Sequence, residues 1–196
     1  MRALAILALA TSAIAADIPR NATEGVYVVA LDEFGNEIHK RISEPLHSAP
    51  EARSLLDGDD ELYGRDDWLA NENTPTYSTY CGCGFKLNTK DTDAAVADLR
   101  KQAGFGTWYP HTAMYSVRGS TVAFMCKRGD GKGWGSSSHI GKLLKQATSA
   151  CGSYVPGTAH QNQGNDGTTT SNIGIMRWYA GLDFCGKAEG AGDHSC

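Results

Sequence analysis

All six cysteines sit at positions 81, 83, 126, 151, 185 and 196 of a 196-residue chain, so any covalent framework is confined to its C-terminal part. An even count in an exported chain of this size points to disulfides rather than catalytic thiols, because an oxidising compartment drives thiols into pairs. Cys81 and Cys83 are separated by one residue, and along a strand their side chains diverge, so each needs a distant partner. Cys185 and Cys196 are candidates, which would leave Cys126 with Cys151; this is one of fifteen possible connectivities. Three bridges would stabilise the domain by roughly 2–4 kcal/mol each, mainly by restricting the unfolded chain.

The chain begins as a secretion signal does. Met1-Arg2 gives a short positive start, Ala3 to Ala10 is unbroken apolar sequence, and Ala13-Ile14-Ala15 supplies small residues for cleavage. The run is far shorter than the roughly 20 residues a membrane span requires, and no later segment approaches that length. Residues 1–15 therefore read as a signal peptide, and the expected product is a soluble, extracellular monomer with no membrane span.

Charge divides the remainder of the chain. Residues 16–65 hold five basic and eleven acidic side chains, a balance of −6, whereas residues 66–196 hold twelve and eleven, a balance of +1. A near-neutral domain makes no electrostatic case for nucleic acid or anionic membrane, both of which demand a basic face. Within the acidic part, Val26–Leu31 is β-branched and apolar, Asp32–Gly35 is turn-like, and Asn36-Glu37-Ile38 completes a short hairpin. Lys40-Arg41 comes next, a dibasic pair of the kind cut by kexin-type secretory proteases. The Ser-, Pro-, Glu- and Asp-rich stretch from Ser43 to Asp67 reads as an accessible linker, with Arg53 and Arg65 as weaker cut sites. The division expected is a signal peptide over 1–15, an acidic pro-segment and linker over 16–76, and a cysteine-rich domain over 77–196. The sequon Asn21-Ala22-Thr23 falls in the pro-segment.

Regular periodicity begins near Tyr77. Cys83–Leu87 reads as a strand. Asp91-Thr92-Asp93 opens a helix with an apolar stripe of Ala95, Val96, Leu99 and Ala103, with Asp98, Arg100 and Lys101 facing water and Gly104 ending it. Tyr115–Val117 and Thr121–Cys126 are apolar runs joined by a compact turn at Arg118-Gly119-Ser120. Lys127–Gly135 is a glycine-rich charged loop. Ser136-Ser137-Ser138 caps a second helix whose Ile140, Leu143, Leu144, Ala147 and Cys151 share a face, and Gly152 closes it. Pro156–Thr170 reads as a long loop, Ile173–Tyr179 as a last strand, and Gly181–Cys196 as a stapled tail. The element order implies two helices on one face of a mainly antiparallel sheet, an α+β two-layer sandwich, because each element has one apolar side to bury.

Several short strings carry a family resemblance: Asp93-Ala94-Ala95-Val96-Ala97-Asp98-Leu99, Val122-Ala123-Phe124-Met125-Cys126, Ala150-Cys151-Gly152-Ser153-Tyr154 and Gly181-Leu182-Asp183-Phe184-Cys185, with Glu24-Gly25-Val26-Tyr27 in the leader. In these the segment from Cys81 onward resembles small, secreted, cysteine-rich fungal effectors. The strand–Cys–helix–Cys-Gly-Ser order from Val122 to Ser153 is similar to killer toxins of the smut-fungus α/β-sandwich type. The resemblance implies a sheet backed by two helices, secretion, and an antagonistic role in which charged residues act on target-cell ion channels.

The chemistry of the chain is sparse. Ribonuclease action needs a histidine, a carboxylate and a cation together. His111, His139, His160 and His194 are present with Asp183, Glu189, Arg118 and Arg177, but no two histidines have a spacing that local structure would unite. Zinc on Cys81, Cys83 and those histidines conflicts with an oxidising compartment. No nucleophile elbow or phosphate-binding loop occurs, and no metal or cofactor is expected. The recognition candidates are aromatic: Trp108, Tyr109, Trp134, Trp178 and Tyr179. Trp134 lies between glycines beside Lys127, Arg128 and Lys132, and an exposed aromatic with adjacent cations makes a recognition patch. The reading is a non-enzymatic, killer-toxin-like effector that binds a target-cell or host surface component through Lys127–Gly135 and Pro156–Thr170. The alternative is a small secreted hydrolase, a ribonuclease using His111 or His139.

Overall fold

A computed structural model describes residues 16–44, 76–82, 85–104, 107–109, 112–128, 133–162 and 171–189. Nine strands and two helices are defined among them: β1 (Gly25–Leu31), β2 (Glu37–Ser43), β3 (Thr76–Cys81), α1 (Thr89–Ala103), β4 (Thr107–Tyr109), β5 (Ala113–Arg118), β6 (Thr121–Lys127), β7 (Gly133–Gly135), α2 (Ser137–Cys151), β8 (Gly157–Asn162) and β9 (Ser171–Arg177). Seven strands form one sheet in the order β2-β1-β5-β6-β9-β8-β3, and β4 pairs with β7 in a separate ribbon. Every pairing in the large sheet is antiparallel. The architecture is the expected α+β class, with both helices on one face.

The helices form where their apolar stripes require. In α1, Ala95, Val96, Leu99 and Ala103 are buried; in α2, Ile140, Leu143, Leu144 and Ala147 are. They meet Val26, Val28, Met114, Ala123, Met125, Ala159, Ile173 and Ile175 from the sheet in one core. Ser136 caps α2, accepting from the His139 amide at 3.1 Å. The cap of α1 is Asn88 rather than the expected Asp91–Asp93 group, its side chain accepting from the Asp91 amide at 3.0 Å. Asp91 is thereby released to bind elsewhere: its carboxylate accepts from the Ser120 amide at 2.8 Å, tying the helix start to the β5–β6 turn. In that two-residue turn Gly119 has a φ of 47°, the conformation a tight hairpin demands. Asp98 does not face water as expected. It is buried and bonded to Arg118 Nε at 2.6 Å, because the β5 end brings a guanidinium over that turn of the helix.

The sheet's other face is covered too, by segments from the two ends of the described chain. Ala16 and Ile18 pack with Leu182, Phe184 and Ala188 onto Tyr27, Val29, Tyr115, Val117, Phe124 and Met176. Burial on both faces explains why β5, β6 and β9 read as continuous apolar runs instead of alternating ones.

Other expectations are corrected by pairing that no local pattern announces. The hairpin at 26–38 forms, but β1 pairs with β5 from Gly25–Val117 to Val29–Ala113, inside the same sheet as the cysteine-bearing strands. The expected boundary at 76/77 therefore does not separate an appended leader from an independently built domain. Lys40 and Arg41 lie within β2, opposite Val28 and Tyr27; of the expected linker Ser43–Asp67, Ser43 ends β2 and residues 45–67 are outside the described residues. The first described strand of the cysteine-rich part is Thr76–Cys81; of the expected strand Cys83–Leu87, residues 85–87 lie outside any strand and the first two are outside the described residues. The expected loop Pro156–Thr170 contains β8, which pairs with β3 and β9. The first three residues of β8, Gly157, Thr158 and Ala159, are small where space is short: a Cβ at Gly174 of β9 would lie 2.5 Å from the Gly157 carbonyl and 2.8 Å from Phe124. Glycine and alanine carry no apolar signal, so this strand is silent to periodicity. The expected loop Lys127–Gly135 likewise contains β7.

Among the described residues the bridges are Cys81–Cys151 and Cys126–Cys185, with Cα separations of 5.2 and 5.7 Å. The expected Cys126–Cys151 pair does not form, because Cys151 ends α2 beside β3, whereas Cys126 points to the opposite face toward the tail. Cys83 and Cys196 lie outside the described residues.

Candidate functional site

Of the expected contact residues, Lys127 and Arg128 lie at one end of the large sheet, and Trp134 lies in the separate β4–β7 ribbon. Lys127 ends β6 opposite Ser171, and its amide donates to the Thr112 carbonyl at 2.8 Å. Arg128 comes next, at the root of segment 129–132. His160 of β8 precedes segment 163–170, and Asn172 of β9 comes after it. Trp134 sits in β7 opposite Trp108. Lys132, His111 and His194 are outside the described residues.

Three of these elements, the end of β6, β8 and β9, are tied to the 3-10 helix of the tail by a closed ring of polar bonds. His160 and Asn172 face each other across β8 and β9 and are buried, 4% and 2% exposed. Arg128 Nη1 lies 3.0 Å from His160 Nε2. A guanidinium only donates, so Nε2 carries the lone pair and Nδ1 the proton, which goes to Asn172 Oδ1 at 2.7 Å. Asn172 Nδ2 then donates to Glu189 Oε1 at 2.6 Å. Glu189 closes the ring through a forked pair with Arg128, Nε to Oε1 at 2.5 Å and Nη2 to Oε2 at 2.6 Å. The planar fork makes this geometry specific as well as strong. Glu189 belongs to the 3-10 helix Gly186–Glu189, anchored one turn earlier by the Cys126–Cys185 bridge. The ring thus clamps the tail, the end of β6 and the β8–β9 pair into one platform.

Sequence alone singles out three of the four residues, for separate reasons, and assigns them to different readings. Asn172 is missed. The one available signal is an asparagine placed against β propensity beside Ile173, which hints at a side-chain partner.

The other two histidines among the described residues are committed elsewhere. His139, on the first turn of α2, bonds through Nε2 to Ser171 Oγ at 3.1 Å. Burial, with a contribution from Lys142, pulls its pKa down to about 4, so it is neutral at ordinary pH. His39 of β2 meets Tyr115 Oη at 3.0 Å through Nδ1 and Glu37 at 3.4 Å through Nε2. Burial pushes the Tyr115 phenol far above its ordinary range and raises the Glu37 carboxyl. Arg118 is spent on Asp98 and Glu24, and Asp183 holds the Ala16 amide at 3.0 Å. Trp178 packs half-buried against the second core, while Tyr179 is exposed beyond the end of β9.

Among the described residues no group of three or more His, Cys, Asp or Glu side chains is placed to hold a metal ion. No described helix is long and apolar enough to cross a membrane. No family model matches the chain, and no curated protein or solved structure matches it significantly.

Proposed function

We propose that the protein is a secreted, non-enzymatic, killer-toxin-like effector that binds a target-cell or host surface component through Lys127, Arg128, Lys132 and Trp134. The observation that carries this reading is the closed Arg128–His160–Asn172–Glu189 ring. A general base must aim its lone pair at substrate; the lone pair of His160 is held by Arg128 and its proton by Asn172. The ring is instead suited to stiffening the roots of segments 129–132 and 163–170, and a preorganised surface binds with less loss of entropy. Two disulfides accord with an oxidising compartment.

The test is binding of the full secreted protein to intact target cells. Replacing Lys127, Lys132 and Trp134 with alanine, while leaving the ring intact, should weaken binding at least about tenfold, as removal of an aromatic anchor and its cations does. Thermal unfolding should hardly move. A second reading is supported by the presence of a histidine, a carboxylate and a cation in one cluster. If RNA is cleaved, and His160→Ala abolishes cleavage in a folded protein, the hydrolase reading replaces the first.

A further inference from the structure

Ala16 is the residue that a cut after Ala15 would leave at the N-terminus, and it is already seated. It is 1% exposed, and Ile18 behind it is fully buried. Asp17 bridges to Asp183; the Ile18 amide donates to the Leu182 carbonyl at 3.0 Å and the Gly181 amide to the Ile18 carbonyl at 2.9 Å. The Ala16 nitrogen itself lies 3.0 Å from Asp183 Oδ1. That oxygen also accepts from the Gly186 amide at 2.7 Å. A Cβ at Gly186 would collide with the same carboxylate, so the glycine there leaves room for Asp183. The surroundings are acidic: Glu37 accepts from the Asp17 amide at 3.2 Å, and Asp17 adds its own carboxylate.

Hydrolysis of the Ala15–Ala16 bond consumes one water, leaves a carboxylate on Ala15, and turns the Ala16 amide nitrogen into an α-ammonium. We propose that this cut completes the fold: the new Ala16 ammonium ion-pairs with Asp183 in the corner shared with Asp17 and Glu37, locking the N-terminal segment to residues 181–188 over the second core. The inference rests on the reading of the protein as secreted. A neutral amide donates one hydrogen bond here, whereas an ammonium donates up to three and neutralises a cluster of carboxylates, so the corner fits the cleaved terminus better than the uncut chain.

Four secreted proteins test this: the parent chain and its Asp183→Asn variant, each with and without Gly-Ser inserted between Ala15 and Ala16. Intact mass should place the parent N-terminus at Ala16. Asp183→Asn should lower the melting temperature of the parent by about 3–8 °C more than that of the inserted chain, whose Ala16 nitrogen stays an amide. Equal losses would mean that Asp183 only holds Gly186, and would overturn the proposal while leaving the secretion reading intact. A secreted protein with its N-terminus elsewhere overturns the proposal and leaves the secretion reading intact, whereas a chain that is not exported overturns both. Independently, the parent α-amine should react with an amine-directed label about tenfold or more slowly relative to the urea-unfolded chain; unprotected labelling overturns the ion pair.

Discussion

The two faces of the seven-stranded sheet are covered by different means, and the difference sorts the chemistry. On one face lie two helices whose apolar stripes fill a core of buried apolar side chains, with polar contacts such as Asp98–Arg118 set at its margin. On the other lie an irregular N-terminal segment and a tail with a single 3-10 turn. A helix satisfies its own backbone, so it can cover a sheet with apolar side chains alone. An irregular segment must find partners for its amides and carbonyls, and it brings polar groups with it. The Arg128–His160–Asn172–Glu189 ring, the His39–Tyr115 contact and the Ala16–Asp183 contact all belong to that second face. Each face also holds one described disulfide: Cys81–Cys151 joins α2 to the β3 edge, and Cys126–Cys185 joins the tail to β6.

If the tail is as integral as the helices, the two faces should fail alike. Replacing Cys126 and Cys185 with alanine frees a 59-residue separation and should cost about 4 kcal/mol, close to the loss from Cys81 and Cys151 with a separation of 70. Denaturant melts of the two double variants make the comparison; a loss confined to the Cys81–Cys151 pair would reduce the tail to an appendage. Within the faces, Phe184→Ala and Leu143→Ala each remove a fully buried side chain and should each cost about 3 kcal/mol. A Phe184 cost far below the Leu143 cost would show that the second core is loosely packed.

Acid should act where helix and sheet meet. His139 has a folded pKa lowered to about 4 from an ordinary 6.5. Between those values the unfolded chain binds the extra proton, so stability is full above pH 6.5 and falls as pH drops toward 4, by roughly 2–3 kcal/mol. His139→Gln should flatten this part of a stability–pH curve, and an unchanged slope would place the acid sensitivity elsewhere. The smallest effect expected is at the α1 cap: Asn88→Ala should cost about 1 kcal/mol in a thermal melt, with the second face untouched.

The legibility of the molecule divides along the same line. Both helices are readable from spacing, because a 3.6-residue stripe is written in consecutive sequence. So are β5, β6 and the 26–38 hairpin, each an apolar run with its turn. β8 is not, since its place between β3 and β9 depends on Gly157 and Gly174 allowing close approach. Of the candidate site, Arg128, His160 and Glu189 are visible as chemistry-bearing residues, but nothing local relates positions 128, 160, 172 and 189. The burial of Asp98 is hidden for the same reason: its partner Arg118 lies on another element.

By itself the sequence determined the α+β class, the stripes of α1 and α2, and the choice of disulfides over free thiols, all of which depend on residue type and short-range period. Tertiary structure alone decided that the acidic hairpin enters the main sheet beside β5, which cysteines pair, and that four polar side chains close into a ring. Those outcomes depend on which strands become neighbours across the sheet, and long-range pairing leaves no periodic trace in the chain.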